Sequence, residues 1–258
     1  MPSFTFLGEL LHQLPSPTIR GLLNDLKKNS PSFVSIFLNR LLLSEYDIQG
    51  QFEQLFDMGF DVIILGENSI IRAATRNCLR TSPSAYIRPL NFPGKPQGNG
   101  AQLFEFDGMS FWLVGLATPN DRQPSDDPVK VFAQWIEKKQ DTHPVFVFLS
   151  GTDLSLKKAI VWHFSNLPFT IHWIGAGLGN SMNLTNINSE RLFALDIGGI
   201  GCEDNISGWS PSDWWAKFRE KIPVEYSPPN GNVIAEGISF SLDEKSKVHN
   251  LKAFRTQI

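Results

Sequence analysis

Short apolar runs alternate with amphipathic stretches along the first third of the chain. Ser3 to Leu7 reads as a strand that stops at Gly8-Glu9. Ser16-Pro17 then supplies an N-cap and a proline at the first helical position, and Ile19, Leu22, Leu23 and Leu26 follow at helical spacing. Phe33 to Leu38 reads as a second strand. A helix is predicted from Glu45 to Met58, with Ile48, Phe52, Leu55 and Phe56 on one face and Gly59 as its stop. Asp61 to Leu65 has the apolar run of a strand buried on both faces, again closed by a glycine, Gly66. This βαβαβ order predicts a parallel sheet, with the site among the loops at the carboxyl ends of its strands.

The middle of the chain changes character. Pro89 to Gly100 is rich in Pro, Gly and Asn and reads as a loop. Gln102 to Phe106, the Asp107-Gly108 turn and Met109 to Leu116 form the clearest hairpin signal. A polar connection from Asn120 to Pro128 leads to a helix over Val129 to Lys139. Val145 to Leu149 then reads as a strand, Leu154 to Phe164 as a helix and Phe169 to Ile174 as a strand. The tail returns to strands at Arg191 to Ile197, Val233 to Leu242 and Val248 to Phe254. Parallel units mixed with a hairpin predict two sheets packed face to face with helices outside, in one domain spanning 1–258.

Composition narrows the function. At 258 residues, 41% of them hydrophobic and 12% aromatic, the chain supplies a core that needs no metal or disulfide for stability. Its net charge of −3 gives no positive field for nucleic acid. The pairs Lys27-Lys28, Lys138-Lys139 and Lys157-Lys158 are expected on solvated helix faces. Two cysteines, Cys78 and Cys202, make neither a disulfide framework nor a thiolate metal site. Met1 to Phe6 lacks a basic stretch, and no apolar run approaches the roughly 20 residues of a membrane span, so no membrane span and a cytoplasmic location are expected.

Candidate chemistry is sparse. The histidines His12, His143, His163, His172 and His249 never pair at i,i+2 or i,i+4, so metal-ligand spacing is missing. Ser150, Gly151 and Asp153 lack a histidine partner for a serine-hydrolase triad. The glycine-rich runs Gly175 to Gly179 and Asp196 to Gly201 lack the Lys-Ser/Thr ending of a phosphate-binding loop and read as tight strand-end loops. Trp209, Trp214, Trp215 and Phe218 crowd one segment. Adjacent tryptophans on a helix cannot both face one core, so Trp214 or Trp215 is expected at an interface.

The order of motifs resembles the YmdB-like proteins of the calcineurin-type metallophosphoesterases. Gly59 to Gly66, Arg88-Pro89-Leu90-Asn91-Phe92-Pro93, the Asp107-Gly108 hairpin, Asp126-Asp127-Pro128, Ser155 to Lys158 and Leu195 to Gly198 carry the resemblance in shared register. It implies a four-layer αββα sandwich of two mixed sheets, a dinuclear metal site and homo-oligomers. Two metals would bind phosphate oxygens and activate a water, through carboxylate, amide and imidazole ligands.

Position by position, this chain departs from that pattern. Gly8-Glu9 stands for Gly-Asp, Leu38-Asn39-Arg40 for Gly-Glu-Asn, and Gly66-Glu67-Asn68 for Gly-Asn-His. Ser150 stands for a histidine, and Gly177-Leu178-Gly179 for His-x-His. Glu9, Asn39, Arg40, Glu67, Asn68, Ser150, Gly177 and Gly179 are therefore expected to mark a relic site without metal or catalytic residues. Arg40 is expected to lie in that cleft and neutralise Glu9 or Glu67 by bidentate hydrogen bonds. The leading expectation is a non-catalytic scaffold for homo-oligomer assembly or for binding another protein. The alternative is a metal-dependent phosphodiesterase or phosphatase whose rebuilt oxygen-ligand site takes Mg or Mn. A weaker alternative is a nucleotide or anion sensor.

Overall fold

Phe4 and Phe6 project from one face of the first strand and Thr5 and Leu7 from the other, and that alternation sets the layers. The computed structural model describes residues 1–12, 16–28, 31–39, 48–94, 96–119, 125–177, 182–184, 191–206, 208–221 and 229–258. Strands β1 (Ser3–Leu10), β2 (Ser32–Leu38), β3 (Val62–Leu65) and β4 (Tyr86–Ile87) run parallel to one another. With β11 (Gly199–Cys202), β12 (Val233–Leu242) and β13 (Val248–Gln257) they form a seven-stranded mixed sheet in the order β13-β12-β11-β1-β2-β3-β4. The second sheet has six strands in the order β5-β6-β7-β8-β10-β9. They are β5 (Ala101–Phe106), β6 (Met109–Ala117), β7 (Val145–Ser150), β8 (Ile171–Ala176), β9 (Met182–Leu184) and β10 (Phe193–Ile197).

Phe4, Phe6, Phe33 and Phe37 of the first sheet meet Phe111, Phe146 and Phe148 of the second across the inner layer. Ring centroids stand 5.1 Å apart in the edge-on pairs Phe4–Phe111 and Phe6–Phe148, a geometry that adds about 0.5–1.5 kcal/mol per pair beyond area burial. The outer face of the first sheet buries Leu7, Val34, Ile36 and Ile63 against helices α1 (Ser16–Lys27), α2 (Ile48–Met58) and α3 (Ala73–Thr81). The outer face of the second buries Val114, Val145 and Val147 against α4 (Pro128–Ile136) and α5 (Leu154–His163). The α/β sandwich of two mixed sheets is the architecture expected. A sixth helix, α6 (Pro211–Glu220), contributes no buried residue to any layer.

Local signals explain the boundaries. Asp127 caps α4 by accepting from the amides of Val129 and Lys130, and Asp153 caps α5 through the amide of Leu156. Asp107 and Gly108 both take positive φ, 49° and 75°, which closes the β5–β6 hairpin with the twist its strands need. Several elements differ from expectation, the short strands β4 and β9 among them. Strand β1 continues past Gly8 to Leu10, because a bulge there moves its partner from β12 to β11. The glycine-rich run after Ile197 is strand β11 rather than a loop. Helix α3 falls in a stretch too polar to show a strong apolar stripe. Among the described residues no helix is long and apolar enough to cross a membrane.

His172 lies wholly buried on the inner face of β8, stacked on Phe146 with centroids 5.1 Å apart. Its Nδ1 accepts from the amide of Leu192 at 3.1 Å, so the ring is held neutral. Burial pushes its pKa down to about 3. A base with a lowered folded pKa contributes stability that is complete above its unfolded pKa, near 6.5, and is lost as pH falls towards 3. Wild-type protein should therefore lose about 3 kcal/mol between pH 6.5 and pH 4 relative to His172→Gln. Urea unfolding of both proteins at pH 7.5, 5.5 and 4 measures it, and parallel pH dependences would contradict the assignment.

Candidate active site

The carboxyl ends of β1, β2 and β3 meet those of β7, β8 and β10 at one pole of the sandwich, as the hydrogen bond from Ser150 to Glu67 shows. Ser150 closes β7, and its hydroxyl donates to Glu67 Oε2 at 2.7 Å. Asn39 follows β2 directly. Its Oδ1 accepts from the backbone amide of Asn68 at 3.0 Å, while its Nδ2 faces Glu67 Oε1 at 3.5 Å. Asn68 Nδ2 stands 3.4 Å from the same carboxylate oxygen. Glu9, Asn39, Glu67 and Ser150 are buried, and Asn68 is half-buried. The structure thus brings Asn39, Glu67, Asn68 and Ser150 into one hydrogen-bonded cluster.

Glycines allow this convergence. A Cβ on Gly66 would stand 2.2 Å from Asn39 Oδ1, and one on Gly8 would stand 2.1 Å from the carbonyl oxygen of Gly198. Gly177, at φ +117°, packs its backbone on that of Gly151, which places the ends of β8 and β7 side by side. The Gly151 amide also donates to the Ala176 carbonyl at 3.2 Å. Close backbone approach of this kind leaves no room for side chains.

Two further residues belong to the pole. Lys157, expected on a solvated face, is fully buried. Its Nζ donates to the carbonyls of Ala176 at 2.9 Å and Leu195 at 3.2 Å, and stands 3.7 Å from Asp196 Oδ2. Asp196 Oδ1 accepts from the amide of Gly198 at 2.9 Å, and Glu9 donates its amide to the carbonyl of Gly198 at 3.0 Å. Burial pushes the Lys157 pKa below the usual lysine range, and the charges of Asp196, Glu67 and Glu9 oppose that shift. Arg40 and Gly179 lie outside the described residues. The described buried ammonium at this pole is that of Lys157. Asn91, at the centre of the Arg88 to Pro93 motif, is structural: its amide ties Ala117 to Asp126. On α6 Trp215 is exposed and Trp214 half-buried, each stacked on Phe218.

The donor set can be tested against the dinuclear centre that the resemblance implies. Among the described residues no group of three or more His, Cys, Asp or Glu side chains is placed to hold a metal ion. Asn39 turns its NH2 group, not its oxygen, towards Glu67. The reverse orientation would set that NH2 against the amide N–H of Asn68. Ser150 likewise directs its hydroxyl proton at the carboxylate. These groups solvate an anion, and as arranged they do not fit a pair of metals.

The packing of Gly66 on Asn39 makes the cluster testable. Gly66→Ala should displace Asn39 from the Asn68 amide and cost about 1–3 kcal/mol in urea unfolding. Gly21→Ala, on α1 with nothing near its added methyl, should be neutral or stabilise by up to about 1 kcal/mol. Equal stabilities for the two variants would contradict this packing.

Known proteins share this architecture. Over 202 residues the chain is 22% identical to a 2',3'-cyclic-nucleotide 2'-phosphodiesterase of Bacillus subtilis (strain 168), covering 76% of this chain and 74% of that one. A phosphatase from Mycoplasma pneumoniae superposes with a TM-score of 0.83 at 20% identity, over 99% of this chain and 93% of its own. A hypothetical protein from Thermus thermophilus does so with a TM-score of 0.83 at 18% identity, over 99% of each chain. These relatives overturn the expectation of a non-catalytic scaffold, because those named for an activity are named as a phosphodiesterase and a phosphatase. The sequence profile of the YmdB-like protein family matches residues 44–254, and the chain belongs to that family.

Proposed function

We propose that the protein hydrolyses phosphate esters, with nucleotide phosphodiesters of the 2',3'-cyclic kind as the first substrate class to test. The observation that carries this reading is the buried Glu67 carboxylate at the shared pole of both sheets, gripped by Ser150 at 2.7 Å and flanked by Asn39 and Asn68. A carboxylate fixed in this way accepts a proton from an attacking water, a role that contributes about 10²–10⁴-fold to a rate. Asn68, the half-buried member of the cluster, spends its Nδ2 on Glu67 Oε1 at 3.4 Å and Asn39 Oδ1 at 3.3 Å, so it helps to hold the carboxylate in place. Membership of the YmdB-like family and the phosphodiesterase named above support the same substrate class.

The test is hydrolysis of 2',3'-cyclic AMP and of bis(p-nitrophenyl) phosphate by purified protein. Each assay is run with added Mg, with added Mn and with chelator, because the family suggests a divalent cation. Turnover is expected, with kcat/KM at least about 100-fold lower in Glu67→Gln, while the unfolding midpoint stays within a few degrees. An absence of turnover in every arm, or full activity in Glu67→Gln, refutes the proposal.

A further inference from the structure

Lys157 is a buried charge that the hydrolytic reading leaves without a role. It reaches from α5 to the ends of two strands of the second sheet, β8 at Ala176 and β10 at Leu195, and stands beside Asp196. Those are the strand ends that matter. Ala176 precedes Gly177, which packs on Gly151 next to Ser150. Asp196 holds the amide of Gly198, whose carbonyl receives the amide of Glu9. One ammonium therefore sits between the Ser150 side of the pole and the Glu9 side. Burying it is expensive unless it finds acceptors and a counter-charge; two carbonyls accept its protons and the Asp196 carboxylate, 3.7 Å away, balances the charge.

We infer that Lys157 is a positioning residue. Its ammonium clamps the ends of β8 and β10 and sets, from beneath the cleft, where Ser150, Asp196 and Glu9 stand relative to Glu67. It does not touch substrate, because the side chain has no exposed surface. Its effect on turnover rests on the hydrolytic reading above; its clamping of the strand ends does not. Burial lowers the pKa of the ammonium, and the charges of Asp196, Glu67 and Glu9 counter that, so the clamp depends on those carboxylates as much as they depend on it.

The experiment uses the full chain and two independent readouts. In wild-type protein at neutral pH, NMR should show a Lys157 Nζ ammonium signal whose protons exchange slowly. Asp196→Asn should speed that exchange. Lys157→Met should shift the amide signals of Gly177 and Gly198, while Lys158→Met, on the exposed face of the same helix, should not. In the second readout Lys157→Met should lower kcat for bis(p-nitrophenyl) phosphate by about 10-fold or more, leave KM within about 2-fold, and move the acid limb of the pH–rate profile. A purely structural residue would not move that limb.

No protected ammonium signal in the folded wild type, or unmoved Gly177 and Gly198 signals in Lys157→Met, overturns the clamp. Unchanged kcat and pH profile in a folded Lys157→Met overturns its part in turnover. If Lys157→Met does not fold, the wild-type ammonium signal and its response to Asp196→Asn decide the clamp. If the wild type hydrolyses neither ester, the hydrolytic reading falls, and the NMR measurements still judge the clamp.

Discussion

The fold and the site both depend on how the chain passes from one sheet to the other at Gly198. Strand β10 belongs to the second sheet and β11 to the first, and this one residue joins them with φ at +81°. Its amide is held by Asp196, its carbonyl holds the amide of Glu9, and Glu236 Oε2 fills the space where a Cβ would stand, 2.2 Å away. Any L side chain would meet both a strained backbone and a carboxylate oxygen. Glu236 is fixed in turn by the amide of Gly199 and by Arg255 of β13. One crossover thus ties the edge of the first sheet to Lys157 beneath the pole. The two sheets cannot be placed independently of the site.

What the sequence discloses follows the physics of each element. The inner-layer strands were legible because a strand buried on both faces reads as a short, near-continuous apolar run, as Val145 to Leu149 does with Phe146 and Phe148 on its inner side. The Asp107-Gly108 turn was legible because few residues tolerate its dihedral angles. Strand β11 was hidden because glycine carries no side chain with which to show a period, yet close packing against Leu11 and His12 is why Gly201 lies there. Helix α3 was hidden because its buried positions are Thr75, Cys78 and Leu79, of which the first is polar.

Lys157 shows how a site residue can be misread although its signal is present. Paired with Lys158, it looks like part of a basic helix surface. Counting instead by helical steps places Ile160, Val161 and Phe164 at i+3, i+4 and i+7 from it, all buried, whereas Trp162 is 79% exposed. The apolar stripe of α5 therefore runs through a lysine and leaves a tryptophan outside. A lysine within a buried stripe needs acceptors, and the acceptors a strand end always offers are its carbonyls. That reasoning was open from sequence alone. The identity of the carboxylate beside it was not, because Asp196 arrives from β10 through a contact between distant segments.

The replaced ligand positions do not by themselves make the pole chemically inert. That residues suited to a dinuclear centre are missing is a statement about one way of stabilising charge at the pole. It does not follow that the pole has no chemistry. In Asn39, Asn68 and Ser150 the cluster presents N–H and O–H donors to Glu67, where the resemblance implied imidazoles and metals. Such donors stabilise a carboxylate by hydrogen bonds rather than by coordination, and a buried carboxylate so held is aligned while it keeps its charge. The glycines that admit Asn39 beside Gly66 and Gly177 beside Gly151 supply that alignment through backbone packing. The same tightness means that the residues setting the geometry of the pole are the ones the fold can least afford to exchange.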